Sequence, residues 1–459
     1  MKKGYITVFF ALVFMVLVSF VLSIFEGIKI NALRLKAECA FSVAANSVLG
    51  EYQVELLNMY DLFYIDTSYK TGSPDYHMVE THFWEYLDKN LGNAPLSAEV
   101  NQIVLATDNK GIPYRKQITD YMKDKIGISY VEQLTQMFET VSKEGVLKDD
   151  LVIENTWNIK WQKELARKEN ISEDTWKQIK KYSPIENAYD IRDSFMLSQV
   201  IENEKSISKK RVNTSDYVSN RSCIQGTGTE AELTFLDKVY FIGYLFEKFS
   251  YYSEKISEKP LDYEVEYLIG GMGSDYENLS SVAKKVLFIR ESINLVYLMS
   301  DSEKMSIIRE VATALAAIIV NPELEPVYEV LIVGLWSYAE SINDLQILFK
   351  GDKVPLIKTK ENWKTDFDSG FGLNFLTCES AENETGMDYK QYLELLLLFS
   401  NDEKITYRSM DLIEMNIRET EGNENFRMDG CAEDFVVNLI FDIPVLDTYQ
   451  IVRKFGYFA

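Results

Sequence analysis

At 459 residues the chain is roughly three times the length of a typical single domain, so two packing units are expected. Apolar residues make up 46% and charged residues 26%, a balance that excludes wholesale disorder, collagen-like repeats and a disulfide-stapled miniature. The net charge of -23 repels nucleic-acid phosphates, no Lys/Arg run offers an exception, and only two histidines, His77 and His82, are on hand for imidazole catalysis or zinc.

The charge is unevenly spread. Residues 1–36 carry Lys2, Lys3, Lys29, Arg34 and Lys36 against Glu26, a local +4, while the remainder carries -27. Within that basic part, residues 5–25 read YITVFFALVFMVLVSFVLSIF, without a charge. As a helix this run is about 31 Å long, the thickness of a bilayer's hydrocarbon core. It exceeds the ~7–15 apolar residues of a cleaved signal, and no small-x-small site follows it, so an uncleaved single-pass anchor is expected. The flanking positive charges nearly tie across the span; the acidic body and the short tail favour the tail inside and the bulk of the chain outside.

The helical period continues past the apolar run. Ile30, Leu33, Ala37, Ala40, Phe41, Ala44, Val48, Tyr52 and Leu56 recur at three- and four-residue spacing, which predicts one helix over residues 5–57. Leu33, Ala37, Ala40, Phe41, Ala44 and Val48 form a narrow Ala-rich seam. It serves either as the core face of its own domain or as an assembly contact with another subunit. Residues 60–65 (YDLFYI) predict a strand closed by the Thr71-Gly72-Ser73-Pro74-Asp75 turn, 77–91 an amphipathic helix, and 100–107 a second strand before Asp108-Asn109-Lys110-Gly111. From Pro113 to about Thr420 the period is helical, with breaks at Ser183-Pro184, 219–229, Lys259-Pro260 and 270–273. Residues 311–320 are strongly apolar but too short to span a bilayer, and 327–349 carries Glu329, Glu340 and Asp344, so the two predict a buried helical hairpin. Residues 435–441 and 445–458 are strand-like on either side of Pro444. The fold class is therefore α+β and mostly α. A membrane helix (1–27) runs on into a long helix and first strands (28–112), a large helical insertion follows (113–420), and C-terminal strands (421–459) complete a small antiparallel sheet made by both chain ends.

Residues suited to chemistry are sparse. His77 and His82 are five apart, ~140° around a helix, and the HExxH order is absent. Gly270-Gly271-Met272-Gly273 lacks the Lys-Ser/Thr of a phosphate loop, and Cys39, Cys223, Cys378 and Cys431 form no CxxC. Neither a GxSxG elbow, a metal set nor a cofactor motif occurs. A structural or interaction role is expected over an enzymatic one, with a surface-anchored hydrolase using a carboxylate pair of the helical block as the alternative.

Lys2-Lys3-Gly4-Tyr5-Ile6-Thr7-Val8-Phe9-Phe10, the apolar span, and Glu26 leading into an Ala-rich helix resemble the start of TadE/TadG-like minor pilins of Flp (Tad) pilus systems. The resemblance is greatest to the large Gram-positive, clostridial-type branch, whose extracytoplasmic region has no assigned activity. It extends through LDYEVEYLIGG (261–271), LFIRESINLVYL (287–298), LWSYAES (335–341), GDKVPLIKTKENW (351–363), MDYKQYLELLLL (387–398) and MDLIEMNIR (410–418). The resemblance implies a pilin-like N-terminal helix, processing between Gly4 and Tyr5, and partners among the lipid bilayer and other pilin-like or Tad apparatus subunits. It implies no cofactor. The sequence departs from the pattern at Phe9, where prepilin peptidase substrates usually place the Glu that docks a neighbouring subunit. The Asp-x-Ser-x-Ser metal-adhesion loop of some TadG-like proteins is missing too; Asp66-Thr67-Ser68-Tyr69-Lys70 comes nearest.

Overall fold

The computed structural model describes residues 3–91, 95–143, 195–228, 232–255, 258–318, 321–367, 386–443 and 447–457. Cys378, Pro444 and the Ser183-Pro184 break lie outside them. The described chain is mostly helical, with one small antiparallel sheet and one long apolar N-terminal helix. It divides into two compact units. The first comprises residues 1–121, 221–233 and 413–459, the second residues 122–220 and 234–412.

In the first unit, α1 (Lys3–Leu49) is continuous from the apolar run into the Ala-rich stretch. It ends eight residues short of the expected boundary at 57. The chain turns at Gly50 and resumes as α2 (Val54–Tyr60), and the Tyr457 hydroxyl donates to the Leu49 carbonyl at 2.7 Å, satisfying one of the carbonyls a helix end leaves open. The expected strand over 60–65 shrinks to β1 (Ile65–Asp66). Asp61 adopts a left-handed conformation that caps α2, and Phe63 finds its partner in a side chain. The Gln117 amide accepts from Phe63 N at 2.7 Å and donates to Phe63 O at 3.2 Å, where a neighbouring strand would otherwise bind. The apolar run over residues 62–65 is present there, but a side chain has taken the place of the ladder.

The helix α3 (Tyr76–Leu91) presents Val79, Phe83, Leu87 and Leu91, one turn apart, to the same core. Strands β2 (Pro95–Leu105), β3 (Cys431–Ile443) and β4 (Asp447–Gly456) complete the sheet. β3 is central: β2 pairs along one edge (Val100↔Val437, Leu105↔Ala432) and β4 along the other (Val437↔Arg453, Leu439↔Ile451), all antiparallel. β1 also pairs Ala432, so it continues the β4 edge. On β3, Phe435, Val437, Leu439 and Phe441 alternate inward, the period of two expected of a strand with one covered face. They pack with α3 and with Ala37, Ala40, Phe41, Ala44, Ala45 and Val48 of α1. The alanines let the helix backbone lie close to the sheet, and Phe41 fills the remaining volume against Phe83 and Phe455, with ring centroids 5.3 and 5.2 Å away. Helix α4 (Asp108–Lys125) opens with three left-handed residues, Asn109, Lys110 and Gly111, so its regular part starts after them. The division between the units falls within α4.

The second unit is helical in its described residues: α5 (Ile128–Lys143), α6 (Phe235–Lys248), α7 (Glu264–Gly270), α8 (Asp275–Ser300), α9 (Ser302–Ile318), α10 (Glu325–Lys350), α11 (Tyr389–Phe399) and α12 (Asp402–Arg418), the last crossing into the first unit's sequence. α9 and α10 form the expected hairpin around Asn321-Pro322. Ile308, Ala312 and Ala316 pack on Tyr328, Leu331, Ile332 and Leu335, and Trp336 and Trp363 complete the cluster. Thr234 and Asp237 make a capping box at the start of α6, as Asp388 and Gln391 do at α11. Gly271 ends α7 in a left-handed conformation (φ 70), so the 270–273 glycines form an inter-helix turn.

Candidate functional site

The most conspicuous functional surface is the first half of α1. Its side chains from Tyr5 to Phe25 are exposed throughout, and an 18-residue window reaches a mean hydropathy of 2.9 with none of it buried. Among the described residues this is the one helix long and apolar enough to cross a membrane, and it fits a single-pass anchor. Gly4 and Tyr5 lie in its first turn.

The six seam residues divide plainly. Ala37, Ala40, Phe41, Ala44 and Val48 are buried under the sheet and α3, and Leu33 is half-buried at the edge of the same cluster. The seam is the core face of its own unit. The opposite side of the helix is the exposed one, and it remains partly apolar, with Leu35 65% and Val43 48% exposed on either side of Cys39.

His82 joins a polar cluster just beyond the end of α1. The Glu51 carboxylate accepts from the hydroxyls of Tyr69 (2.9 Å) and Tyr86 (2.8 Å) and lies 2.9 Å from His82 Nδ1. His77 is exposed and 3.7 Å from Glu80. Among the described residues no group of three or more His, Cys, Asp or Glu side chains is arranged to hold a metal ion. Cys39, Cys223 and Cys431 are unbridged thiols, and burial raises the pKa of the last two, that of Cys223 to about 11. In the Asp66–Lys70 loop the Asp66 carboxylate caps its own turn, accepting from Ser68 N at 2.9 Å, while the Thr67 hydroxyl donates to Gly430 O.

Two buried ionic clusters were not legible in the sequence. In the first unit, Arg221 bridges Glu414 and Asp429, both fully buried. Burial drives Glu414 upward despite Arg221. Burial also opposes ionisation of Asp429, but Arg221 and Arg427 outweigh it and hold that carboxyl below the usual range. In the second unit, Arg290 bonds Asp344, Asn294, the Tyr392 hydroxyl and the carbonyls of Pro355 and Leu356. Lys358 Nζ lies 2.6 Å from Glu340 Oε1 and 2.6 Å from Asp344 Oδ1. Glu340 and Asp344 are one turn apart on α10, and the only sequence signal is that these two acids interrupt a largely apolar stretch of the helix.

Other buried carboxylates face tyrosines. Glu266 accepts from Tyr389 (2.9 Å) and Glu394 from Tyr130 (3.0 Å), and burial pushes each up to about 7. Between their ordinary value of 4.5 and about 7 the folded state keeps protons that the unfolded chain releases. Stability contributed by these groups is therefore full below that window and is lost as pH rises through it, by roughly 3 kcal/mol per group at most. The melting temperature of the second unit should accordingly fall between about pH 5 and about pH 8, and Glu266→Gln should flatten that slope. A melting temperature that rises over this interval would refute the assignment.

Beside α8 lies an apolar pocket of about 130 Å³, lined by Val141, Ile293, Val296, Tyr297, Leu356 and Ile357 among others. The Tyr297 hydroxyl is turned to Asp301 at 3.2 Å.

No curated protein and no solved structure matches the chain. Residues 174–443 match the profile of the family of unknown function DUF5702. That stretch covers more than half of the sequence and includes Arg221, Arg290, Glu340, Asp344, Lys358, Glu414 and Asp429, so the chain belongs to the DUF5702 family.

Proposed function

We propose that the protein is a membrane-anchored, outward-facing structural component of a Tad/Flp-type pilus or a related secretion apparatus, acting as minor pilin, initiator or scaffold. The observation that carries this reading is α1 itself, a single helix whose apolar half has bilayer length and whose second half is the spine of a folded unit. A long helix packed on a small antiparallel sheet is the arrangement that the strand-like chain ends predict, and the resemblance implies its pilin-like N-terminal helix. The acidic remainder of the chain, at -27, suits the outer side of the membrane, with the short basic tail inside.

The buried seam redirects the assembly contact to the other side of α1. Ala32, Leu35, Cys39 and Val43 make an exposed, largely apolar stripe at three- and four-residue spacing, in line with Ile24 and Ile28 of the anchor. The partner that fits it is the equivalent helix of another pilin-like subunit, held parallel by the same membrane.

Photo-crosslinkers at Leu35 and Val43 in intact cells test this. The expected result is capture of pilin-like subunits from those positions and none from Glu85 on the exposed side of α3. Normal surface piliation in a strain lacking the gene, together with no subunit captured from either position, would overturn the reading.

A further inference from the structure

The contacts around Lys358 have the geometry of a condensation reaction as well as of an ion pair. Its side chain is 2% exposed, and those of Glu340 and Asp344 are fully buried. An amine nitrogen 2.6 Å from a carboxylate oxygen lies roughly 3–3.5 Å from the carboxyl carbon, the separation of near-attack arrangements. Asp344 presents its two oxygens differently. Oδ1 faces Lys358, whereas Oδ2 is held by Arg290 Nε at 2.9 Å and Asn294 Nδ2 at 2.9 Å. Glu340 is fixed as an acceptor by the backbone N–H of Lys364 (3.1 Å) and Thr365 (2.8 Å) and by the Thr365 hydroxyl (2.9 Å). The surroundings are aromatic, with Trp336 and Trp363 both buried.

We propose that Lys358 and Asp344 become joined by an intramolecular amide bond after folding, with Glu340 carrying the protons. Glu340 Oε1 takes one proton from the Lys358 ammonium and delivers it to Asp344 Oδ1, leaving a neutral amine beside a neutral carboxyl. The amine lone pair attacks Asp344 Cγ, and the C=O π pair moves onto Oδ2, where the Arg290 guanidinium and the Asn294 amide stabilise the oxyanion. Glu340 then carries a second proton from the nitrogen to the Oδ1 hydroxyl. The Cγ–Oδ1 bond breaks, the Oδ2 pair restores the carbonyl, and one water leaves. One ammonium and one carboxylate are consumed, one secondary amide and one water are formed, and no oxidant or co-reactant is required.

The balance of charge favours the product. Before reaction the site buries two cations and two anions, and isolating ions from water is costly even when they are paired. Afterwards only Arg290 and Glu340 remain charged. Arg290 opposes the first step by favouring the ionised carboxyl, and assists the second by stabilising the oxyanion, so it sets the rate of the bond's formation. Asp344 is the electrophile rather than Glu340 because a guanidinium faces its second oxygen, while Glu340 meets only neutral donors besides Lys358 itself. The bond would staple the 351–358 segment to α10. This inference stands apart from the pilus reading, and neither depends on the other.

Mass spectrometry of the full chain, purified in detergent and denatured, decides the matter. Proteolysis should yield a branched peptide joining the segments around Asp344 and Lys358, lighter by one water than the two separate peptides, with Lys358 resistant to trypsin. Lys358→Arg, which keeps the charge, and Glu340→Gln should each give separate peptides of full sequence mass. Recovery of separate, full-mass peptides from the wild-type protein overturns the proposal, whatever the variants do. A branch from Lys358 to Glu340 overturns the assignment of the electrophile, and a persistent Asp344 link in Glu340→Gln overturns the role given to Glu340.

Discussion

Replacing Arg221 with methionine is expected to destabilise the first unit by about 3–5 kcal/mol, the usual consequence of breaking a buried ion pair from one side. Arg221 is 8% exposed and faces two carboxylates that are wholly out of water. Its removal leaves Asp429 with Arg427 at 3.3 Å and Glu414 with Arg418 at 3.2 Å, both weaker arrangements than the forked contact they lose. Glu414 also accepts from Met428 N at 2.7 Å and Asp429 from Ile224 N at 3.3 Å, so the defect spreads to the turn before β3 and to the 221–233 segment. The pH dependence has a definite sign. Asp429 has a depressed pKa in the fold, so the stability it contributes is present above its unfolded value of 3.8 and is lost as pH falls through the folded one. The variant's deficit should thus be full near neutrality and shrink only as the pH falls below 3.8, through the folded pKa of Asp429. Urea denaturation at neutral pH and at about pH 3 measures it. Arg221→Lys, which restores charge without the fork, should recover part of the loss. A variant as stable as the wild type at neutral pH would mean that the cluster is not closed in the folded protein.

What the sequence made legible follows the range of the forces involved. The helix over 77–91 was readable because Val79, Phe83, Leu87 and Leu91 repeat every turn, and the strand over 435–441 because Phe435, Val437, Leu439 and Phe441 alternate. Both patterns are local, and both survive in the structure as Tyr76–Leu91 and Cys431–Ile443. The strand expected over 60–65 has a short apolar run bounded by a turn, but the polar side chain that takes its neighbour's place, Gln117, lies 54 residues away. The end of α1 was misplaced by eight residues for a similar reason, since the Tyr457 hydroxyl that meets it lies 408 residues downstream. The buried ionic clusters are the extreme case. Arg221 and Glu414 are 193 residues apart, and nothing near either one indicates that the 221–233 segment packs with the N-terminal unit. The apolar stripe of α1 is visible in the sequence, while which surface covers it is a tertiary question. Periodicity shows that a face is apolar, and only packing shows what it meets.

Val18→Arg is expected to abolish stable membrane insertion. Val18 lies near the middle of the 21-residue apolar run, where an arginine costs about 2.5–3.5 kcal/mol even on insertion scales that allow the side chain to reach toward the interface. No carboxylate exists between Tyr5 and Phe25 to pair with it, and the side chains there are exposed, so no packed protein environment replaces the lipid. The substitution should leave the folded units intact, because every fully buried core residue of α1 lies at Ala37 or beyond and Ile30 and Leu33 pack only at the edge of that cluster. Ala40→Arg should do the reverse. Ala40 is 5% exposed under the sheet, and a bulky cation there must displace well-packed neighbours or remain buried and unpaired. Its expected signature is full membrane retention with a lower melting temperature and greater protease sensitivity in the first unit. Fractionation of tagged variants, with limited proteolysis on each fraction, separates the two effects. If Val18→Arg sediments with membranes as the wild type does, α1 is not the anchor. If Ala40→Arg melts like the wild type, the packing of α1 against the sheet is not what holds that unit together. The two substitutions lie on opposite sides of Gly27, where the helix is exposed and the space for a Cβ is open. Gly27→Ala, worth about 1 kcal/mol of helix propensity, should therefore change neither insertion nor folding by more than that amount.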